Sequence, residues 1–178
     1  MPEPVSLSGA LSKIAEHYGD LQSYLALAFS AELRHRTARY DRYSEREMAE
    51  RLRERRDEVD LTSSLTVLGA LEAAFRIDYR MRCERRKRDN VSRAFRAIYR
   101  TRRERASLEQ EIFQAWVDNS SGVGRLIGEL RGAFKFRHWL AHGRYWTPKL
   151  GRPYTFVDIY TLAELVLQSF PFFEFDQN

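Results

Sequence analysis

From Val5 to Trp146 the chain contains no proline. Proline inside a helix deletes a backbone hydrogen bond and clashes with the preceding turn, so a stretch this long without it leaves helix as an open choice throughout. Ala, Leu, Glu and Arg, all good helix formers, are abundant across the same stretch. The expectation is an all-α fold. At 178 residues the chain suits a single domain, residues 1–178.

Apolar periodicity divides the chain. Leu11, Ile14, Tyr18, Leu21, Leu25 and Phe29 recur at three- and four-residue steps and predict a first helical region from about Ser6 to Tyr40, which Gly19 could kink. A second helix is predicted from Ser44, where Glu47 three residues on completes a capping box, to about Asp60. Thr62 or Ser63 is expected to cap a third, with Leu65, Leu68, Leu71, Phe75 and Tyr79 as its apolar stripe. Further helices are predicted at Asn90 to Arg105, Ser107 to Val117, Val123 to His142 and Val157 to Phe170, the last two stopped by Gly143 and Pro171. Gly122-Val-Gly124 with Gly128 has the wrong spacing for a dinucleotide loop and follows no strand.

Charge is unevenly placed. Thirty Lys+Arg stand against 25 Asp+Glu, and lysine occurs only at 13, 87, 135 and 149. Between Arg76 and Arg105 there are 13 cations and four acids, so this window carries +9 and the remainder −4. With Tyr79, Phe95 and Tyr99 interleaved, it has the composition of a phosphate track, for which Arg86, Arg93 and Arg100 are the candidate RNA-binding residues. A solvated helix hairpin would also account for it.

One cysteine, Cys83, excludes an intramolecular disulfide framework. The opening MPEPVSLSGALSKIAEHYGD lacks the basic and apolar regions of a secretory signal, and no apolar stretch approaches the roughly 20 residues of a membrane helix. A cytoplasmic protein without a membrane partner is expected.

Chemistry-bearing residues concentrate in RGAFKFRHWLAHGRYW, which holds Arg137, His138, His142 and Arg144. His138 and His142 are four apart and share a helical face; Arg137 lies about 140° from His142. Three readings follow. A zinc site would need a third ligand, such as His17, His35 or a carboxylate, and the glutamate of HExxH is missing. Acid/base chemistry on a phosphodiester would use His142 to take the proton of an RNA 2′-hydroxyl and Arg137 to hold the non-bridging oxygens, with no metal or cofactor. In the third, His142 simply faces the carbonyls at a helix end and Arg137 is a surface residue. In so arginine-rich a chain, an Arg five residues before a His is no rare event, so context must decide.

The stretch Arg137-His-Trp-Leu-Ala-His142-Gly-Arg-Tyr145 resembles the R-x4-6-H signature of the HEPN superfamily of small all-α domains, especially its ribonuclease branches. More loosely, LEAAFRIDY is similar to the family helix that brings a polar residue toward the motif. The resemblance implies a HEPN-like helical bundle in which Arg137 and His142 are the catalytic pair. His138 stands where Asn or Asp is common, as an assisting or positioning residue. Glu72 is the candidate polar residue from the other helix, with Arg76 and Asp78 behind it, and Arg144 is a further RNA contact. It also implies a homodimer whose two motifs share one cleft, which would supply the two imidazoles that base and acid require; Trp139, Tyr145 and Trp146 could line the interface or the core. Some family toxins carry, two residues after the motif His, a Tyr that a nucleotidyltransferase antitoxin adenylylates. Arg144 takes that place here, and no modification is assigned to Tyr145.

The expected function is a metal-independent endoribonuclease of toxin-antitoxin or antiviral-defence type, leaving a 2′,3′-cyclic phosphate and restrained by an antitoxin or neighbouring defence protein. The alternative is a non-catalytic nucleotide- or RNA-binding module that partners another protein such as a nucleotidyltransferase.

Overall fold

The structure, a computed structural model, describes residues 6–34, 40, 42–144 and 150–173. Its order is α1 (Leu7–Ala28), α2 (Ala31–Arg34), α3 (Glu45–Glu84), α4 (Asn90–Arg102), α5 (Phe113–Asn119), α6 (Gly124–Ala141) and α7 (Phe156–Ser169). A 3-10 turn at Arg103–Arg105 and a π turn at Leu108–Ile112 join α4 to α5. No strand occurs among the described residues, so the all-α expectation holds. None of the described helices is long and apolar enough to cross a membrane.

The spine is α3, 40 residues and therefore about 60 Å long. It begins at the capping box: Ser44 Oγ accepts from the Glu47 amide at 3.3 Å, and the Ser44 amide donates to Glu47 Oε2 at 2.8 Å. The expected break at Thr62 is absent. Thr62 Oγ1 donates back to the Glu58 and Val59 carbonyls at 2.8 and 3.2 Å instead of capping a helix start, and Ser63 and Ser64 are buried in the packing, Ser64 Oγ without a partner. Asp60, the expected end of the second helix, is engaged across the bundle: Tyr18 Oη donates to it at 2.6 Å and the Phe156 amide at 3.3 Å. Burial and this carboxylate push the Tyr18 hydroxyl up to about 12. Gly19 lies inside an unbroken α1, which ends at the turn Phe29–Ser30, earlier than Tyr40.

Around α3 pack α1, α4, α6 and α7. The core runs through Leu68, Leu71 and Phe75 of α3, Phe95 of α4, Phe113 and Trp116 of α5, Leu130 and Phe134 of α6 and Ile159 and Val166 of α7. Phe75 is the hub, with edge-on rings at 4.9 Å (Phe113), 5.1 Å (Phe170) and 4.9 Å (Phe172).

Two charges sit inside this core. Arg82 and Asp78 are 3% and 1% exposed, and Arg82 Nε donates to both Asp78 oxygens, at 2.8 and 2.9 Å. Arg82 also donates to Asp89 Oδ1 at 3.2 Å, to Ser92 Oγ at 3.3 Å and to the Pro171 carbonyl, and it lies over the Trp116 ring. Asp78 accepts the Phe173 amide at 2.8 Å, and Asp89 caps α4 through the Ser92 amide at 2.9 Å. One buried pair thus fastens α3, the start of α4 and the segment after α7. Asp78, a weaker candidate for the site, is corrected to a core residue, and Arg82 leaves the basic surface.

Candidate active site and basic pocket

The motif occupies the last turn of α6, where that helix crosses α3. Phe134, Phe136 and Leu140 are buried, which turns Arg137, His138 and His142 toward the surface. Helix α6 ends where His142 caps it, its amide donating to the His138 carbonyl at 3.1 Å, and Gly143 turns the chain at φ 83°, as the sequence predicts.

Arg137 Nη2 lies 2.8 Å from Glu72 Oε2, and the other Glu72 oxygen accepts Arg76 Nε at 2.9 Å. Glu72 therefore sits between two guanidinium groups. Arg76 goes on to donate to the Ala106 carbonyl at 3.2 Å. The Arg137 Nε–H is buried without an acceptor, while the side chain as a whole is 37% exposed.

The His138 and His142 rings lie against each other, tilted by 51° with centroids 4.2 Å apart, both on exposed residues. Two contacts therefore lie at this end of α6, Arg137 with Glu72 and His138 with His142. Among the described residues no group of three or more His, Cys, Asp or Glu side chains is placed to hold a metal. His17 is exposed on α1, and His35 lies outside the described residues. Trp139 stacks on Phe136 with centroids 5.9 Å apart, a packing role; Tyr145 and Trp146 lie outside the described residues.

The candidate RNA contacts do not gather in one place. Arg144 reaches back to the N-terminal half of α3, where it grips both Glu58 oxygens at 2.7 and 3.0 Å. That contact holds the Glu58 carboxyl below its usual range. Arg86 and Arg100 meet at the other end of α3, in an open pocket of about 470 Å³ lined by Cys83, Glu84, Arg86, Arg96, Tyr99 and Arg100. Arg93 is exposed on α4 and bonds the Asn90 side chain. Arg76, Arg80, Arg82 and Arg102 of the +9 window carry ion pairs, with Glu72, Glu84, Asp78 and Glu111.

Arg86, Arg103 and Arg144 have φ of 50°, 49° and 57°, backbone that favours glycine. Each follows a helix end, and each costs roughly 1 kcal/mol relative to relaxed backbone. Arg103, at ψ −128°, has the angles of the first central residue of a type II′ turn, and the Tyr79 hydroxyl holds it by donating to its carbonyl at 3.0 Å.

Sequence reasoning did not single out Arg96 or Glu58, and it noted Cys83 only as the sole cysteine. Arg96 was legible as a member of the Arg93–Arg96–Arg100 spacing on α4, one face at three- and four-residue steps. Comparison of the chain with protein-family models, with curated proteins and with solved structures gives no match in any of the three.

Proposed function

We propose that this all-α domain is a HEPN-like, metal-independent endoribonuclease. The observation that carries the reading is the pair of imidazoles, 4.2 Å apart, on the helix end that also carries the partly exposed Arg137 and its contact to Glu72. In this scheme His142 takes the proton of the RNA 2′-hydroxyl, and the resulting oxygen attacks the adjacent phosphorus. The P–O5′ bond breaks, His138 gives its proton to the departing oxygen, and the products are a 2′,3′-cyclic phosphate and a 5′-hydroxyl. Arg137 binds the non-bridging oxygens as charge builds on them, and Glu72 fixes the guanidinium's direction.

His138 thereby supplies within one chain the second imidazole for which a dimer would otherwise be invoked. The HEPN resemblance still favours a homodimer, which sedimentation at two concentrations tests. The toxin-antitoxin or antiviral-defence setting, with an antitoxin or neighbouring defence protein as regulator, comes from that resemblance alone.

The test is incubation of the purified protein with RNA in EDTA beside His142→Ala and Arg137→Ala. Cleavage that depends on both residues, and that stops when the cut site carries 2′-deoxyribose, supports the assignment. Cleavage that survives both substitutions removes it. The basic pocket favours a second reading, a nucleotide- or RNA-binding module, under which RNA is bound and left intact.

A further inference from the structure

We infer that the pocket at the end of α3 is a nucleotide subsite that seats one base and its phosphate from a single-stranded RNA, apart from the Arg137–His142 site. The inference rests on RNA as the ligand and does not need cleavage. Its volume, about 470 Å³, falls within the range of small-ligand sites. Three guanidinium groups, Arg86, Arg96 and Arg100, face a single carboxylate, Glu84. Arg96 is braced by donating to the Lys87 carbonyl at 2.6 Å, which leaves its other donors for an anion. Tyr99 is half-buried, its ring steadied by Tyr79 with centroids 6.0 Å apart, and it offers the flat face that a base stacks upon. Glu84 can accept from ribose hydroxyls. Burial pushes the Cys83 thiol up to about 11, so it remains a neutral wall of the pocket.

Position ties this pocket to the motif. Glu72, Arg76, Tyr79 and Cys83 follow one another at four, three and four residues and so share a face of α3. Eleven residues of helix set the pocket about 17 Å from Glu72, the rise of about five stacked nucleotides of one strand. Between the two lie the Arg76–Ala106 contact and the exposed turn Arg102, Arg103 and Arg105. A concave, aromatic and arginine-lined end to a cationic run fits a single strand with an unstacked base; a duplex would hold its bases out of reach.

The experiment uses the full chain carrying His142→Ala, so that RNA stays whole, with RNA trimers, hexamers and nonamers. Cys83 is the sole cysteine, so its alkylation by N-ethylmaleimide, followed by intact mass, reads this pocket alone. Saturating nonamer is expected to slow alkylation at least about fivefold, and affinity is expected to step up between trimer and hexamer. Arg86→Gln and Arg100→Gln should each lower the slope of log K against log salt by about 0.7, and Tyr99→Leu should weaken binding about tenfold with the slope unchanged. Arg125→Gln, an equal charge change on an exposed residue of α6, should leave the slope alone. Undiminished alkylation under bound nonamer overturns the inference, as does an Arg125 effect equal to that of Arg100. Protection by AMP as strong as by nonamer overturns it too, in favour of a free-nucleotide site. RNA that is cut by the unsubstituted protein while Cys83 stays open sinks the subsite and spares the ribonuclease; RNA that protects Cys83 but is never cut does the reverse.

Discussion

Replacing Arg82 with methionine strips the charge partner from Asp78 and leaves a carboxylate that is 1% exposed with the Phe173 amide. Breaking a buried pair from one side costs about 3–5 kcal/mol, because the remaining charge is neither hydrated nor matched. For a domain of this size that lowers Tm by about 6–20 °C. Asp78→Leu leaves Arg82 its contacts to Asp89, Ser92 and the Pro171 carbonyl, and should cost less, about 2–3 kcal/mol. The double variant removes both charges and forfeits the hydrogen bonds to Phe173, Pro171, Asp89 and Ser92, about 3 kcal/mol in all. The two singles should therefore overshoot the double by about 3 kcal/mol, measured by urea unfolding followed by far-ultraviolet circular dichroism. The pH dependence has a definite sign. Burial raises Asp78 above its usual range, against the opposing pull of Arg82 and the Phe173 amide. A group raised on folding contributes stability below its unfolded pKa that is lost as pH rises through the folded value. Without Arg82 the rise is larger, so the cost of Arg82→Met should shrink between pH 7.5 and pH 5. An Arg82→Met Tm within about 2 °C of the parent, or a double variant as unstable as the sum of the singles, would refute the reasoning.

Glu72→Gln frees the guanidinium groups of Arg137 and Arg76 but unfixes their direction; kcat for RNA should fall about tenfold and KM should fall with it, whereas a raised KM at constant kcat would remove the positioning role. His138→Ala and His142→Ala should each lower RNA cleavage by about 10²–10⁴-fold, but on a ribonucleoside 3′-(p-nitrophenyl phosphate), whose leaving group needs no acid, only His142→Ala should remain impaired. Equal loss in both variants on that substrate would take the acid role from His138. Arg144→Gly should be about 1 kcal/mol more stable than Arg144→Ala in thermal melts, since both lose a partly exposed pair worth less than about 1 kcal/mol and only glycine relaxes at φ 57°. The pair's small contribution should persist at neutral pH and fade as pH falls through the lowered Glu58 value, a trend absent in Glu58→Gln.

What the sequence showed depended on whether the signal was local. The Ser44 capping box and the Gly143 stop are complete within four residues, and both stand as read. Thr62-Ser63-Ser64 looks like a cap by the same local rules, yet α1 and α7 pack on α3 and the helix runs on through it, with Ser63 and Ser64 buried and the exposed Thr62 hydroxyl bonding back to its own helix. The ends of α3 and α4 carried no glycine to mark them, because Arg86 and Arg103 occupy the turns that follow. Glu72 was visible as a polar residue in an apolar stripe, but its meeting with Arg137 depends on α3 crossing α6, a long-range pairing that periodicity does not encode. Asp78 was read as a weaker site candidate and Arg82 only counted in the basic window, although the stripe Leu71, Phe75, Asp78, Tyr79 and Arg82 keeps its three- and four-residue steps. Following the spacing through the charges would have placed both inside.

The burial of Arg82 bears on how charge relates to function here. Arg82 and Arg100 each count once toward the +9 window, and reversing either changes net charge by the same amount. Reversal at Arg82 sets a third carboxylate against Asp78 and Asp89 inside the core and works against folding. Reversal at Arg100 acts on an exposed wall of the pocket, where folding is indifferent and an arriving phosphate is not. Arg76, Arg80 and Arg102 lie between these extremes, already matched by carboxylates that a polyanion would have to displace. Cations open to a strand therefore concentrate on the outer face of α4 and in the helix-end turns at Arg86 and Arg103, where the backbone accepts strain to present a guanidinium. Affinity for RNA should accordingly track which arginine is altered, and net charge alone should predict it poorly.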